Sequence, residues 1–174
     1  IAIRAAKIMK YGFGMNVIGY SRSLTKEKAK ELEIEYCSSI EEVLRSSDIV
    51  NIGVPLNNST VNMINNEKIK LMKKTAYLIN TSRGKVVDEK ALYNALKNKH
   101  IAGAACDVFV TEPPTLDNPL LSLNNFVATP HIGANTDEAL YRVGMAVVKG
   151  ILEKVWYIFE IIQDTLSLIH ISEP

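Results

Sequence analysis

The chain has 174 residues, 47% of them hydrophobic, which suffices for one globular core. Its 20 basic and 19 acidic side chains leave a formal charge of +1, so no long-range field recruits nucleic acid or an anionic membrane. Cys37 and Cys106 cannot build a disulfide framework and suit a reducing, cytoplasmic compartment. No signal-peptide pattern opens the chain, and no apolar run reaches the roughly 18 residues of a membrane span.

Residues 1–13 carry Ala5, Ile8 and Met9 at helical spacing, with Gly12 and Gly14 as stop signals. Residues 16–20 (NVIGY) predict a short strand and residues 24–32 a charged helix. The sign-alternating stretch 26–35 reads as the solvated face of that helix rather than a binding tail. Ser39 and Glu42 fit a capping box, in which hydroxyl and carboxylate satisfy free amides at a helix start. Residues 48–54 (DIVNIGV) predict a strand ended by Pro55, residues 66–73 a helix, and residues 76–81 (AYLINT) a further strand. Asp88 is placed to cap a helix running to Leu96. Residues 103–109 (GAACDVF) and 126–129 (FVAT) predict the last strands, with a proline-rich loop over 111–120 between them. Thr136 opens a long helix with a small-residue, apolar face.

Several of these strands lack polar alternation, so both their faces are expected to be buried. Strand and helix alternating in this way predict an open parallel α/β sheet covered on both sides. Ligands of such sheets lie outside the carboxyl ends of the strands. Arg22, Pro55, Arg83, Asp107 and His131 each fall at or just past such an end. His131 sits between Thr129-Pro130 and Ile132-Gly133, so a rigid turn displays it, whereas His100 and His170 lack such settings and are expected to be exposed. Arg83 follows a buried strand and precedes Gly84, and its fork of donors matches a carboxylate; a salt bridge to a helix start is the plainer alternative. Glu112 lies in the proline loop, where it is either solvated or paired with a histidine whose charged form it would favour. Cys106, within AGAACDVF, reads as a small buried hydrophobe.

The segments LINTSRGKVVDEKAL, AGAACDVFVTEPP and VATPHIGANTDEA, in this order, resemble the three signature blocks of the D-isomer-specific 2-hydroxyacid dehydrogenases. VPLNNSTVNMIN and KLMKKTAYLIN fit the same family, and the resemblance runs from residue 1 to about residue 151. It implies a partial Rossmann-type, doubly wound parallel sheet. Residues 1–151 would be a partial dinucleotide-binding domain and residues 152–174 an atypical tail. Residues 166–174 (LSLIHISEP) resemble the in-frame translation of a sequencing adapter and are expected to stand outside the fold.

Roles then carry over residue by residue. Arg83 would grip the carboxylate and carbonyl of a 2-oxo acid. His131 would exchange the proton with the carbonyl oxygen, and Glu112 would hold His131 protonated. Asp107, Thr81 and Ser82 would line the nicotinamide end of NAD or NADP, with Gly133 and Ala134 near it and Val54 and Pro55 on the adenosine side. No metal is implied. The glycine-rich loop is absent. Ile1 and Ala2 align with its end, which puts Ile1 in the cofactor site and the first strand ahead of residue 1, so a gap is expected at the sheet's centre. Many relatives carry an acidic residue after the second strand; here Ser21-Arg22-Ser23 suits a 2′-phosphate, favouring NADP. The expected partners are a small acid of the glyoxylate, hydroxypyruvate or 3-phosphoglycerate type and, at full length, a second copy in a homodimer, with no nucleic acid or membrane. The rival reading is a non-catalytic, dinucleotide-binding sensor or corepressor-like relative. Arg83, Glu112 and His131 together weigh against it, and against an unrelated Rossmann-type transferase.

Overall fold

The computed structural model describes residues 2–167, in two compact units, Ile1–His131 and Ile132–Pro174. In the first unit, helix α1 (Ala2–Lys7) continues as a π-helical turn, Ile8–Gly12, and the chain leaves it through Gly14 at a φ of +66°. There follow β1 (Ile18–Gly19), α2 (Lys26–Glu31), β2 (Glu35–Tyr36), α3 (Ile40–Ser46) and β3 (Ile49–Ile52). Then come α4 (Asn66–Ile69), β4 (Tyr77–Asn80), α5 (Glu89–Lys97), β5 (Gly103–Cys106) and β6 (Phe126–Ala128).

The helices begin where local chemistry tells them to. Thr25, Ser39, Asn65 and Asp88 accept from the amides of Lys28, Glu42, Lys68 and Ala91 at 3.2, 3.2, 3.0 and 3.0 Å. Such caps each contribute about 0.5–2 kcal/mol. The reciprocal arm of the box at α3 is displaced by one residue: Glu42 accepts from the Ser38 amide at 2.7 Å.

All strands pair in parallel, as expected of a doubly wound α/β fold, in two separate sheets: β1-β2 and β3-β4-β5-β6. The interruption falls between β1 and β3, where the gap in the sheet was anticipated. In the larger sheet, Ile52, Asn80, Cys106 and Ala128 are register partners in turn. The four strands therefore end on one row, and the residues just past it share one rim.

One face of this sheet is core. Val50, Ile52, Leu78, Ala104 and Cys106 cluster with Leu44 of α3, Ile69 of α4 and Leu92 and Leu96 of α5. Each fully buried leucine is worth roughly 1.5–3 kcal/mol. The opposite face corrects the expectation of two buried faces: Ile49, Tyr77 and Val127 are 46%, 51% and 64% exposed. Helices α3, α4 and α5 supply the core from one side only, so β3 and β4 alternate in burial.

The second unit is dominated by α6 (Asp137–Ser167), whose start is capped by Thr136 accepting from the Ala139 amide at 3.1 Å. The boundary read from sequence after residue 151 falls inside this continuous helix. Ile1 and residues 168–174, His170 among them, lie outside the described residues. Among the described residues no helix is long and apolar enough to cross a membrane.

Candidate active site

β6 ends in a turn that begins with the Thr129 amide donating to the Cys106 carbonyl at 3.1 Å. Pro130 follows, and His131 then adopts a left-handed φ of +54°. That region costs a residue with a Cβ roughly 1–2 kcal/mol, so it persists only where surrounding contacts hold it. The principal contact is to Glu112: His131 Nδ1 lies 2.8 Å from Glu112 Oε2. Glu112 Oε1 accepts from the Phe109 amide at 3.0 Å, across a loop that includes the cis bond Glu112-Pro113. Phe109 is itself core and meets Phe126 edge to face at 6.3 Å between ring centres. The His131 hydrogen bond, then the Phe109 N–H, then the charges of His131 and Arg83, hold the Glu112 carboxyl below the usual carboxylate range. The solvated alternative for Glu112 is thereby set aside.

Arg83 leaves β4 in extended conformation, φ −147°. Its Nη1 donates to the Ser82 carbonyl at 2.6 Å, its side chain is exposed, and among the described residues no carboxylate pairs with it. The helix-start salt bridge is therefore absent. Gly84 fixes where Arg83 sits: a Cβ built there would stand 2.0 Å from the Phe109 carbonyl carbon and oxygen and 2.5 Å from the Val110 nitrogen. The Arg83 loop thus lies directly against the backbone leading to Glu112, and only glycine permits that approach.

Asp107 follows β5. Thr129 Oγ1 donates to its Oδ1 at 2.5 Å, and the Asp107 amide donates to the Asn80 carbonyl at 3.0 Å. Thr81 is exposed at the end of β4, and Ser82 donates through both N–H and Oγ to Asn80 Oδ1 at 3.1 and 2.9 Å. After β3, the Pro55 carbonyl accepts from Thr60 Oγ1 at 2.7 Å, with Val54 packed against the core. Beside them a Cβ on Gly53 would meet the Cβ of Ala2 at 3.3 Å, so the first turn of α1 lies against the end of β3. Pro55, Arg83, Asp107 and His131 therefore share the carboxyl rim of one sheet. Arg22, expected with them, stands past β1 on the separate sheet, exposed, with the hydroxyl oxygens of Ser21 and Ser23 3.5 Å apart beside it. Gly133 and Ala134 belong to the second unit, where the Asn135 amide closes a turn on the Ile132 carbonyl at 2.9 Å. The rim offers hydroxyl and carboxylate groups at Thr81, Ser82 and Asp107 to a ligand lying across the strand ends, the place where such sheets bind dinucleotides. Among the described residues no group of three His, Cys, Asp or Glu could hold a metal ion.

Cys106 is core, and burial followed by the Glu89 charge pushes its thiol up to about 12, which leaves it inert. His100 departs from expectation: its ring Nε2 is shut off from solvent without a hydrogen-bond partner. The chain turns back at Lys99, φ +52°, and the His100 amide returns to the Ala95 carbonyl at 2.8 Å, drawing the residue inward. Three residues of the site were not singled out beforehand: Asn80, Thr129 and Glu89, whose Oε1 accepts from the Val110 amide at 2.6 Å. Asn80 alone had a visible signal, a polar side chain ending the apolar run AYLIN.

The family model for the D-isomer specific 2-hydroxyacid dehydrogenase NAD binding domain matches residues 1–133. D-3-phosphoglycerate dehydrogenase of Methanocaldococcus jannaschii is 47% identical over 139 residues, covering 80% of this chain and 26% of that protein. Glyoxylate reductase of Thermococcus kodakarensis is 53% identical over 135 residues, 78% of this chain and 39% of that protein. The crystal structure of the D-isomer specific 2-hydroxyacid dehydrogenase from Lactobacillus delbrueckii ssp. bulgaricus, in its NAD-complexed form, matches with a TM-score of 0.79 at 32% identity. It covers 89% of this chain and 50% of that one. The chain spans about a quarter to two fifths of the length of these two curated relatives.

Proposed function

The chain belongs to the D-isomer-specific 2-hydroxyacid dehydrogenases, matched over their NAD-binding domain, and on that premise we propose that the full-length protein interconverts a small 2-oxo acid and its D-2-hydroxy acid. The observation that carries this reading is the 2.8 Å pairing of His131 Nδ1 with Glu112 Oε2 on the strand-end rim. A protein that merely bound a dinucleotide would have no use for an imidazole held by a carboxylate in a left-handed turn.

A bound nicotinamide dinucleotide supplies the hydride that reaches the carbonyl carbon. With Nδ1 committed to Glu112, His131 presents Nε2 as the acid. As the carbonyl π electrons move onto oxygen, Nε2 gives up its proton there, leaving a neutral imidazole and a hydroxyl group. General acid catalysis of this kind contributes roughly 10² to 10⁴ in rate. Arg83, exposed and unpaired with any described carboxylate, grips the substrate carboxylate and polarises its carbonyl. Asp107, Thr81 and Ser82 line the nicotinamide end, and Val54 and Pro55 the adenosine side.

Ser21, Arg22 and Ser23 support NADP as the preferred cofactor, since a guanidinium flanked by two hydroxyls complements a 2′-phosphate. The two buried free thiols accord with a reducing compartment such as the cytoplasm. The exposed apolar surface of α6, with Leu140, Val143, Val147 and Ile151 on it, accords with a homodimer at full length. Incubating the full-length protein with glyoxylate, hydroxypyruvate or the oxidised partner of 3-phosphoglycerate, while following NADPH and NADH absorbance, tests the reading. No turnover of any of them, with cofactor bound, would overturn it in favour of a sensor.

A further inference from the structure

We infer that Asn80 is the positioning residue for Arg83, holding through its side-chain amide the loop that presents the guanidinium; the inference rests on the dehydrogenase reading above. Asn80 is 1% exposed and ends β4 between Ile52 and Cys106. An amide in such surroundings costs stability unless every polar atom finds a partner, and a hydrophobe of similar size would fill the same space. What the amide adds is a set of bonds directed along the chain. Its Oδ1 accepts from Ser82 N–H at 3.1 Å and Ser82 Oγ at 2.9 Å, which closes a side-chain turn across Thr81. Its Nδ2 donates to the Arg83 carbonyl at 3.1 Å. The main-chain carbonyl of the same residue accepts from Asp107 at 3.0 Å.

One buried residue therefore grips the backbone of Ser82 and Arg83 and the start of the Asp107 segment together. The other described buried polar side chain, Thr60, serves its own loop by bonding to Pro55 and Asn57. Ser82 and Arg83 lie between β4 and the 3-10 turn Gly84–Val86, outside any regular ladder. Their placement depends on the Asn80 bonds at one end and on the Gly84 packing at the other. An arginine that must meet a carboxylate bidentately tolerates little displacement, and a shift of about 1 Å at a reacting group can lose about 10² in rate.

The test is a double-substitution cycle in the full-length protein, reading kcat/KM for the 2-oxo acid it reduces, with thermal unfolding as the check on folding. Asn80→Ala should lose at least about tenfold in the native background. In the Arg83→Ala background, read at saturating cofactor so that the Ser82 contact with the nicotinamide end does not enter, the same change should cost no more than about twofold, because no guanidinium remains to position. A purely structural role would give the same loss in both backgrounds, and that additivity would overturn the inference. Should Asn80→Ala fail to fold, Asn80→Asp takes its place: it keeps the acceptor for Ser82 and loses the donation to Arg83. If the unaltered protein reduces no 2-oxo acid, the dehydrogenase reading falls and this inference with it. If it does so and Asn80 variants match it, the positioning role alone falls.

Discussion

His131 Nδ1 lies 2.8 Å from Glu112 Oε2, while the other oxygen of the same carboxylate is taken by the Phe109 amide at 3.0 Å. The carboxylate thereby joins the His131 turn to the backbone of the buried Phe109 and occupies Nδ1, which in the proposed mechanism leaves Nε2 to face substrate. Replacing it with a neutral amide takes the charge out of that pairing. For Glu112→Gln we expect the reduction rate at neutral pH to fall by about tenfold or more. A rate equal to that of the unaltered protein would show that the pairing does not govern proton delivery.

The same pair links stability to pH. The Glu112 carboxyl is held below its ordinary value, first by the His131 hydrogen bond. A group with a lowered folded value stabilises the fold above its unfolded value and loses that contribution as pH falls through the folded one. The window lies below the unperturbed glutamate value of about 4.3. Thermal unfolding of the unaltered protein and of Glu112→Gln should therefore differ most at neutral pH and converge in acid. A gap that widens in acid would contradict the direction of the shift.

In the proposed mechanism His131 and Arg83 both act at the reacting carbonyl, so His131→Ala and Arg83→Ala should each lose at least about 10² in kcat/KM. The unfolding midpoint of Arg83→Ala should stay close to that of the unaltered protein, since its side chain is exposed, whereas His131→Ala removes the partner of Glu112 and should lower the midpoint at neutral pH as Glu112→Gln does. Near-normal turnover by either variant would remove it from the mechanism.

Most of this arrangement was legible because it is local. The caps read at Ser39 and Asp88 rest on side chains three residues from the amides they satisfy, the same spacing that Thr25 and Asn65, not read beforehand, turn out to use, and strand ends set where Arg83, Asp107 and His131 emerge. What escaped was relational. β2 is two residues long and begins with a glutamate, so no periodicity marks it. The open face at Ile49 and Tyr77 depends on which helices pack where, not on the strands' apolar composition. The Thr129–Asp107 bond joins side chains 22 positions apart, and the rim's division from Arg22 follows from sheet pairing alone.

Cofactor choice is expected to turn on Arg22. A charge-assisted hydrogen bond to phosphate is worth about 1.5–3 kcal/mol, or roughly 10- to 100-fold in affinity. Arg22→Ala should weaken NADPH by that factor and NADH by much less, measured as dissociation constants by fluorescence titration. Equal losses for both cofactors would place Arg22 against the shared part of the dinucleotide instead.

Gly84 is where the Arg83 and Glu112 loops are pressed together, and its substitution should separate stability from simple glycine effects. Its φ is not in the left-handed region, so alanine there meets no backbone strain, only collision. The added Cβ would stand 2.0 Å from main-chain atoms of Phe109, which no rotamer change relieves. Either Phe109 withdraws from the core or the Arg83 loop lifts away. The first is an overpacking cost of about 1–3 kcal/mol or more, and the second displaces the guanidinium from the carboxylate it should meet. Gly84→Ala should therefore lower the unfolding midpoint and lose about 10² in kcat/KM together. If Gly84→Ala left both the unfolding midpoint and kcat/KM unchanged, the Arg83 and Glu112 loops would not be in contact, and their shared placement would need another cause.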